Sequence, residues 1–147
     1  MTAIRRALLS DAMLLAQLHA QCFDESWDAK AFSALLDDDV TFALVTGDDR
    51  AFILVRAVAD ESEILSLGTH ASARRSGLAR ALVEAARVEA HRRGARRMFL
   101  DVAADNEAAL ALYSEAGFTA AGRRKAYYRR SMGEAVDAVI LSIALRS

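Results

Sequence analysis

The sequence of 147 residues contains no proline and a single cysteine. No proline-rich, serine-rich or repeated segment indicates a linker or a solenoid. Because Cys22 has no partner for an internal disulfide, the chain fits a reducing, cytoplasmic compartment, and we expect Cys22 to pack as a small apolar residue. No apolar run approaches the ~20 residues of a membrane span, and no signal-peptide pattern is present. We therefore expect one domain over residues 1–147, with no membrane partner.

Residues that commonly bind metals or act as nucleophiles are few and scattered. The three histidines and Cys22 lack the spacing of metal ligands. No Ser-His-Asp or Cys-His motif is present. The sequence therefore predicts no metal site and no covalent enzyme intermediate. His19 has no partner that the sequence reveals, so we expect it at the surface or at a helix cap.

The formal net charge is only −1, but the charges are unevenly distributed. Residues 1–66 contain 12 acidic and 5 basic residues, a net charge of −7, whereas residues 67–147 contain 8 acidic and 14 basic residues, a net charge of +6. The nearly neutral total argues against general coating of nucleic acid. The basic half suits a phosphorylated cofactor and the acidic half suits an amine substrate, unless the asymmetry is a chance drift of surface charge.

Apolar periodicity and turn residues predict a mixed sheet with helices on both faces, an α/β fold. About seven strands are expected, at residues 3–8, 41–46, 51–59, 62–69, 97–102, 118–128 and 135–145, the sixth being irregular. About four helices are expected, at residues 11–22, 28–36, 77–93 and 106–116. The strand, helix, strand order around the third helix predicts a parallel crossover.

Gly68 lies inside the fourth predicted strand, where glycine weakens an ordinary strand. A β-bulge would explain it, because a bulge breaks the hydrogen-bond ladder and leaves backbone groups free to pair with a ligand. We therefore expect a bulge at Gly68.

The basic loop before the third predicted helix has the properties of an anion site. It reads Arg74-Arg75-Ser76-Gly77-Leu78-Ala79. The first N–H groups of a helix have no intrahelical partner, and the helix dipole favours negative charge there. Gly77 permits close approach of the backbone to a ligand, and arginines suit phosphates. The alternative is an ordinary helix start, since many helices begin with a glycine and some arginines.

Two side chains of the fourth predicted helix are suited to cofactor binding and proton transfer. Asn106 and Tyr113 are seven residues apart, so two helical turns place them on one face. A phenol with its ordinary pKa of ~10 holds its proton at neutral pH and can donate it to a leaving group. The alternative is that Tyr113 packs on the core and that Asn106 only caps the helix. Asp101 ends the preceding strand, a frequent place for site residues in α/β folds.

Five motifs follow one another along the chain: Arg74-x-x-Gly77-x-Ala79, Leu100-Asp101-Val102, Asp105 to Tyr113, Glu115 to Phe118, and Arg123-Arg124 with Tyr127-Tyr128. In this order and spacing they resemble the GCN5-related N-acetyltransferase (GNAT) family. The last motif resembles the RimI type, the ribosomal-protein-alanine N-acetyltransferases. The similarity is good from about residue 60 to residue 145 and loose before it.

The resemblance implies a GNAT fold with acetyl-CoA as co-substrate. The 74–79 loop would cradle the pyrophosphate of acetyl-CoA. Leu67, Gly68 and Thr69, at the bulge of that fold, would hold the pantetheine arm and polarise the thioester carbonyl. Asn106 would hydrogen-bond the same arm.

The resemblance also assigns roles in chemistry and in acceptor binding. Tyr113 would be the general acid, and Trp27, Tyr127 and Tyr128 would line the acceptor site, with a core role as the alternative for Trp27. Asp101 would be the general base, although the RimI type has glutamate there. An aspartic acid in water has a pKa of ~3.9, so burial or a bridging water would be needed for proton removal. The alternative is that Asp101 only attracts a cationic substrate or stabilises a helix end.

The resemblance implies direct transfer of acetyl to an amine, the N-terminal alanine of a small-subunit ribosomal protein. Other protein N-termini, a lysine or a small-molecule amine are alternative acceptors, and a CoA-binding module without catalysis is an alternative of another class. The basic and aromatic cluster at residues 123–128 could also suggest RNA stacking, but one short cluster at neutral net charge predicts no direct nucleic-acid partner. We expect a monomer or a weak dimer.

Overall fold

The computed structural model describes residues 3–23, 27–73, 76–129 and 135–146. The strands are β1 (Ile4–Arg6), β2 (Thr41–Thr46), β3 (Ala51–Val58), β4 (Glu61–Thr69), β5 (Arg97–Ala103), β6 (Thr119–Arg129) and β7 (Ala135–Ala144). The α-helices are α1 (Ala12–Cys22), α2 (Ala29–Leu36), α3 (Leu78–Arg92) and α4 (Glu107–Glu115). Each predicted element is present within a few residues of its expected bounds. The described helices are all too short or too polar to cross a membrane.

The seven strands form one sheet in the order β1-β2-β3-β4-β5-β7-β6. The pair β4–β5 is parallel, as the crossover through α3 requires, and the other described pairs are antiparallel. The predicted α/β class with a mixed sheet is therefore confirmed.

Helices cover both faces of the sheet because the strands alternate apolar side chains between them. One apolar cluster joins α3 and α4 to side chains such as Ile53, Met98 and Leu141. A second cluster joins α1 and α2 to the opposite face, where Phe52 and Leu54 lie. We call these the α3/α4 face and the α1/α2 face.

Local sequence signals set where several helices begin. The Asp28 carboxylate accepts a hydrogen bond from the Ala31 N–H at 2.8 Å, and the Asn106 side-chain oxygen accepts one from the Ala109 N–H at 3.2 Å. Each bond satisfies an N–H group that the first turn leaves without a partner. Asp11 precedes α1, but its carboxylate instead accepts the Leu8 N–H and pairs with Arg5.

Strands β4 and β5 stay together for only three residue pairs, from Glu61–Arg97 to Glu63–Phe99. Beyond Phe99, β5 continues alongside β7 as far as Ala103, whereas β4 continues alongside β3 to Thr69. The sheet therefore opens between residues 64–69 of β4 and residues 100–103 of β5. We call this space the β4–β5 opening.

The β-bulge lies at Leu65, so the expectation of a bulge at Gly68 is wrong. Leu54 pairs with Ser66 while the next residue of β3, Val55, pairs with Ile64, which leaves Leu65 as the extra residue. Gly68 itself pairs in regular register with Phe52.

Position 68 accommodates only a residue without a side chain, because Phe52 and Cys22 fill the space beside it. A Cβ at this position would lie 2.6 Å from Cε1 of Phe52 and 3.3 Å from the Cys22 sulfur. The first distance is far below van der Waals contact between carbon atoms. Close packing of α1 on β4, rather than bulge geometry, therefore accounts for this glycine.

His19 is buried, with 3% of its surface exposed, so its expected place at the surface is wrong. Its ring stacks on Phe23 and Trp27 at centroid distances of 4.3 and 4.7 Å, and Phe32 packs edge-on at 5.6 Å. The Trp27 N–H donates a hydrogen bond to Nδ1 of His19 at 3.2 Å, which requires that nitrogen to be unprotonated. The sequence did contain a signal for this burial, because His19 follows Leu15 by four residues and so lies on the same apolar face of α1.

We predict that His19 makes the folded protein less stable in mild acid. Burial lowers the pKa of His19, so between that lowered value and the unfolded-state value of ~6.5 the unfolded chain binds the proton more readily. The stabilisation is complete above pH ~6.5 and is lost as the pH falls below it, at a slope of up to about 1.4 kcal/mol per pH unit. Urea unfolding at several pH values measures that slope.

The control for this prediction is a second histidine. His19→Gln should remove this component of the pH dependence, whereas His91→Gln, on the partly exposed His91 near the end of α3, should retain it. Equal slopes in the parent chain and in His19→Gln would contradict the assignment.

Candidate active site

The β4–β5 opening brings together titratable side chains from both faces of the sheet. Asp101 pairs with Ile140 and Glu63 pairs with Phe99, so both carboxylates lie on the α1/α2 face. Tyr128 reaches the same face from β6, opposite Val136.

Tyr113 approaches from the other face. It belongs to the apolar cluster under α3 and α4, is 4% exposed, and packs edge-on against Phe118 at a centroid distance of 5.4 Å. Burial raises the pKa of Tyr113, and the neighbouring Tyr128 raises it further. The phenol is therefore fully protonated at neutral pH, as a proton donor must be.

Tyr128 lies close enough to interact electrostatically with Tyr113 on one side and with Asp101 and Glu63 on the other. Burial, helped by the nearby negative charge of Asp101, raises the pKa of Tyr128 to about 12, and Arg124 acts in the opposite direction. Tyr127 packs edge-on against Tyr128 at 5.2 Å but is 49% exposed, with the Arg124 guanidinium 5.3 Å above its ring. Of the two tyrosines assigned to the acceptor site, Tyr128 lies at the opening and Tyr127 lies at its rim.

Glu63 lies at the β4–β5 opening, although the sequence analysis did not single it out. Burial raises the pKa of Glu63, and the negative charge of Asp101 raises it further, while Arg124 and Arg56 lower it. In sequence, Glu63 looks like an outward-facing residue of an alternating strand. Only the pairing of β4 with β5 places it beside Asp101.

The start of α3 has the geometry expected of an anion-binding loop. Gly77 is the N-cap, with φ +85°, and a Cβ built on it would have no heavy atom within 4 Å. The Ser76 hydroxyl donates to the Ala73 carbonyl, and the buried Leu78 anchors the first turn in the core. The space beside Gly77 is therefore open, at the start of a 15-residue helix whose first N–H groups have no intrahelical partners. Arg74 and Arg75 lie outside the described residues.

The end of β4 lines the opening with backbone groups. Leu67 packs towards the α3/α4 cluster, and the Thr69 carbonyl accepts a hydrogen bond from the thiol of Cys22 at 3.3 Å. Cys22 is half-buried in contact with this strand, which agrees with the packing role expected for it. Gly68 lies between them, on the side of Phe52.

Two further residues expected at the site make structural contacts. Asn106 is exposed and caps α4 through its side-chain oxygen. Trp27 is partly buried in the α1/α2 cluster, where it stacks on His19. The roles expected of Asn106 towards the cofactor and of Trp27 towards the acceptor stay predictions.

One surface cavity lies away from the opening. It has a volume of about 470 Å³, is lined by Arg87, Arg97 and Arg146 among others, and lies where β5 begins and β7 ends. A second cavity, of about 360 Å³, runs along β3, β4 and β5 and includes Glu63 and Phe99. We assign the candidate site to the β4–β5 opening, because Tyr113 and the carboxylates approach it, whereas no tyrosine or carboxylate of the described segments lines the 470 Å³ cavity.

The arrangement suits transfer of an acyl group between a phosphorylated carrier and an amine. Carboxylates that can take a proton lie on the α1/α2 face, and a buried phenol that can give one lies on the α3/α4 face. The N-terminus of α3 can hold an anionic carrier, and the unpaired edges of β4 and β5 can hold its arm between them.

Comparison with known proteins agrees with this arrangement. The family model described as "Acetyltransferase (GNAT) family" matches residues 12–118. The [ribosomal protein bS18]-alanine N-acetyltransferase of Salmonella typhimurium is 33% identical over 121 residues, which cover 81% of this chain and 81% of that protein.

Solved structures show the same fold. The ribosomal-protein-S18-alanine N-acetyltransferase of Escherichia coli superposes with a TM-score of 0.88 and 28% identity, over 100% of this chain and 96% of that one. NAA60 of Arabidopsis thaliana, determined in complex with acetyl-CoA, superposes with a TM-score of 0.87 and 19% identity, over 100% of both chains. The sequence match and the fold together show that this chain belongs to the GNAT family of acetyltransferases, as its motifs predicted.

Proposed function

We propose that this acetyltransferase uses acetyl-CoA to acetylate the N-terminal alanine of a small-subunit ribosomal protein in the cytoplasm. The observation that carries the proposal is the convergence of Asp101 and Tyr113, from opposite faces of the sheet, on the β4–β5 opening. The names of the Salmonella and Escherichia coli relatives support the acceptor, since both specify alanine of the S18 protein. The NAA60 complex supports acetyl-CoA as donor.

Residues around the opening fit the parts of this donor. Gly77, Leu78 and Ala79 would present backbone N–H groups to its pyrophosphate, with Arg74, Arg75 and Ser76 completing the loop in sequence. Leu67, Gly68 and Thr69 would bind the pantetheine arm through the unpaired edge of β4, and Asn106 would contact the arm from the start of α4. When bound, acetyl-CoA supplies a thioester whose carbonyl carbon reacts with the amine and whose sulfur leaves.

The side chains of the opening divide the proton transfers between them. Asp101 takes a proton from the acceptor ammonium, so that the nitrogen lone pair is free to attack. Tyr113 donates its hydroxyl proton to the departing sulfur and regains one from solvent or through Tyr128. Trp27, Tyr127 and Tyr128 border the space that the acceptor enters. An N-terminal amine suits this chemistry because its ordinary pKa of ~7.7–8.0 makes it easier to deprotonate than a lysine.

The acceptor is tested by intact-mass measurement after incubation with acetyl-CoA and synthetic peptides. We expect a gain of one acetyl group on peptides that begin with alanine. The matched control is the same peptide with a blocked N-terminus and an internal lysine, which should remain unmodified. Acetylation of the blocked peptide, or of small amines only, would contradict the proposed acceptor.

Gly77→Ala should weaken CoA binding at least about tenfold, because a methyl group would occupy the space through which the loop approaches its anion. Gly94→Ala is the matched control, since Gly94 also has positive φ, +101°, and lies at the opposite end of α3. Both variants should lose about 1–3 kcal/mol of stability through backbone strain. Calorimetric titration with CoA, combined with melting curves, separates the two effects, and equal CoA affinity in the two variants would reject the anion loop.

Tyr113→Phe should keep the fold and the CoA affinity but slow acetyl transfer about 10²–10⁴-fold, the usual contribution of general acid catalysis. The ring can still pack on Phe118, so only the proton donor is lost. Steady-state and single-turnover kinetics on the established acceptor measure the effect. Full turnover, with chemistry shown to be rate-limiting, would assign the proton to another group.

A further inference from the structure

We propose that Asp137 is a positioning residue of the acceptor site, because its carboxylate holds a bulge in β6 that brings Tyr128 to the β4–β5 opening. This inference rests on the proposed function of the opening, where Tyr128 borders the space that the acceptor enters. Asp137 belongs to β7 and lies outside the five motifs.

Strand β6 contains two more residues than β7 in the stretch before Tyr128. Arg124 pairs with Ala138, and Tyr128 pairs with Val136. The three residues of β6 between these pairs therefore lie opposite one residue of β7, Asp137. A regular antiparallel ladder would have one residue on each strand there, so β6 bulges by two residues.

The bulge sets how close Tyr128 lies to the opening. If β6 continued without the bulge, Ala126 would lie opposite Val136. Tyr128 would then lie two positions farther along the hairpin, a shift of roughly 7 Å away from Asp101. Because the shift is an even number of residues, the bulge leaves Tyr128 on the same face of the sheet. In the folded protein Tyr128 is near enough to Asp101 for that carboxylate to raise the pKa of the phenol.

The backbone of the bulge is strained. Ala126 has φ +51°, in the left-handed region that residues with a Cβ rarely adopt. The other described non-glycine residues with positive φ, Asp49 and Ala59, lie in the turns between β2 and β3 and between β3 and β4. Ala126 lies inside a strand, so other groups must hold it in this conformation.

The Asp137 carboxylate makes the contacts that hold the bulge. Its Oδ1 accepts a hydrogen bond from the Ala126 N–H at 2.8 Å, and its Oδ2 accepts one from Nε of Arg123 at 2.7 Å. The Ala126 N–H, and next to it Arg123, lower the pKa of Asp137, so the carboxylate is ionised at neutral pH. Hydrogen bonds to an ionised acceptor are about twice as strong as bonds between neutral groups.

Asp137 is itself held by the part of the sheet that carries Asp101. The Asp137 carbonyl accepts the Ala104 N–H at 2.8 Å, directly beyond the seven residue pairs that join β5 to β7. Asp101 belongs to that ladder. Strand β6 is at the edge of the sheet, so β7 is its one neighbour among the described strands. The position of Tyr128 relative to Asp101 is therefore transmitted through β7.

Asp137 does not act by attracting the acceptor amine directly. Ala138 shares the α1/α2 face with Asp101, and neighbouring residues of a strand point to opposite faces. The Asp137 side chain therefore lies on the α3/α4 face, where both of its oxygens accept hydrogen bonds from β6. Its effect on the acceptor is exerted through Tyr128.

The kinetic test compares Asp137→Ala with Asp48→Ala. The control is matched, because the Asp48 carboxylate accepts the backbone N–H of Arg50 at 3.3 Å and its Nε at 2.8 Å, in the turn between β2 and β3. Three strands separate that hairpin from β6. For Asp137→Ala we expect kcat/KM for the acceptor to fall about tenfold, mainly through a higher KM, with unchanged CoA affinity. Asp48→Ala should match the parent.

Two kinetic results would overturn the proposal. The first is an acceptor KM in Asp137→Ala equal to that in Asp48→Ala. The second is a lower kcat at unchanged KM that follows the folded fraction in a melting curve, since that is the effect of lost stability alone.

A second substitution distinguishes positioning from charge. Glycine adopts positive φ without a steric cost, so Ala126→Gly in the Asp137→Ala background should favour the bulge again and restore most of the acceptor KM. Ala126→Gly alone should resemble the parent. A direct attraction between the Asp137 charge and the acceptor would not return in the double variant, so an acceptor KM that stays high there would overturn the positioning role.

A register measurement on the free protein needs no acceptor and so separates this inference from the proposed function. Cross-strand nuclear Overhauser effects should join Tyr128 to Val136 in the parent and in Asp48→Ala, and should be lost in Asp137→Ala. Their retention in Asp137→Ala would overturn the proposal whatever the acceptor proves to be. If the register depends on Asp137 and the parent does not acetylate alanine peptides, the acceptor assignment fails instead, and the kinetic comparison is made on the amine that the parent does acetylate.

Discussion

The separation of β4 from β5 after three residue pairs is the constraint on which the rest of the site depends. The bulge at Leu65 redirects β4, while β5 is held by seven residue pairs with β7 and continues straight. Two neighbouring parallel strands therefore part in the middle of the sheet. The gap lets groups from both faces meet, which an intact ladder would prevent.

An opening in a sheet leaves backbone and side-chain polar groups without partners, and this is costly unless a ligand satisfies them. The apolar clusters on the two faces supply the stability that tolerates this cost. On one face, α3 and α4 cover the sheet and bury the ring of Tyr113. On the other face, the ring of His19 in α1 stacks on Trp27, which lies shortly before α2.

Burial also distinguishes the proposed acid from the proposed base of the site. Tyr113 is enclosed in the apolar cluster, which favours its neutral, proton-bearing form. Asp101, the proposed base, is only partly buried on the α1/α2 face, next to the exposed Glu63. The start of α3 at Gly77 is the proposed phosphate-binding end. The proposed acceptor side with its carboxylates and the proposed phosphate-binding side agree with the charge asymmetry between the two halves of the chain.

The sequence by itself determined the elements, the α/β class, the family and the catalytic candidates Asp101 and Tyr113. These follow from local signals: apolar periodicity, a cap residue at the start of the fourth helix (Asn106), the glycine before the third helix (Gly77) and motif spacing. Only the tertiary structure decided that the bulge lies at Leu65, that Gly68 is small because Phe52 fills the space, that His19 is buried, and that Glu63 lies beside Asp101. Each of these depends on which residue of another element lies opposite. Register and packing between distant segments are set by the whole sheet, and no local pattern along one strand or helix encodes them.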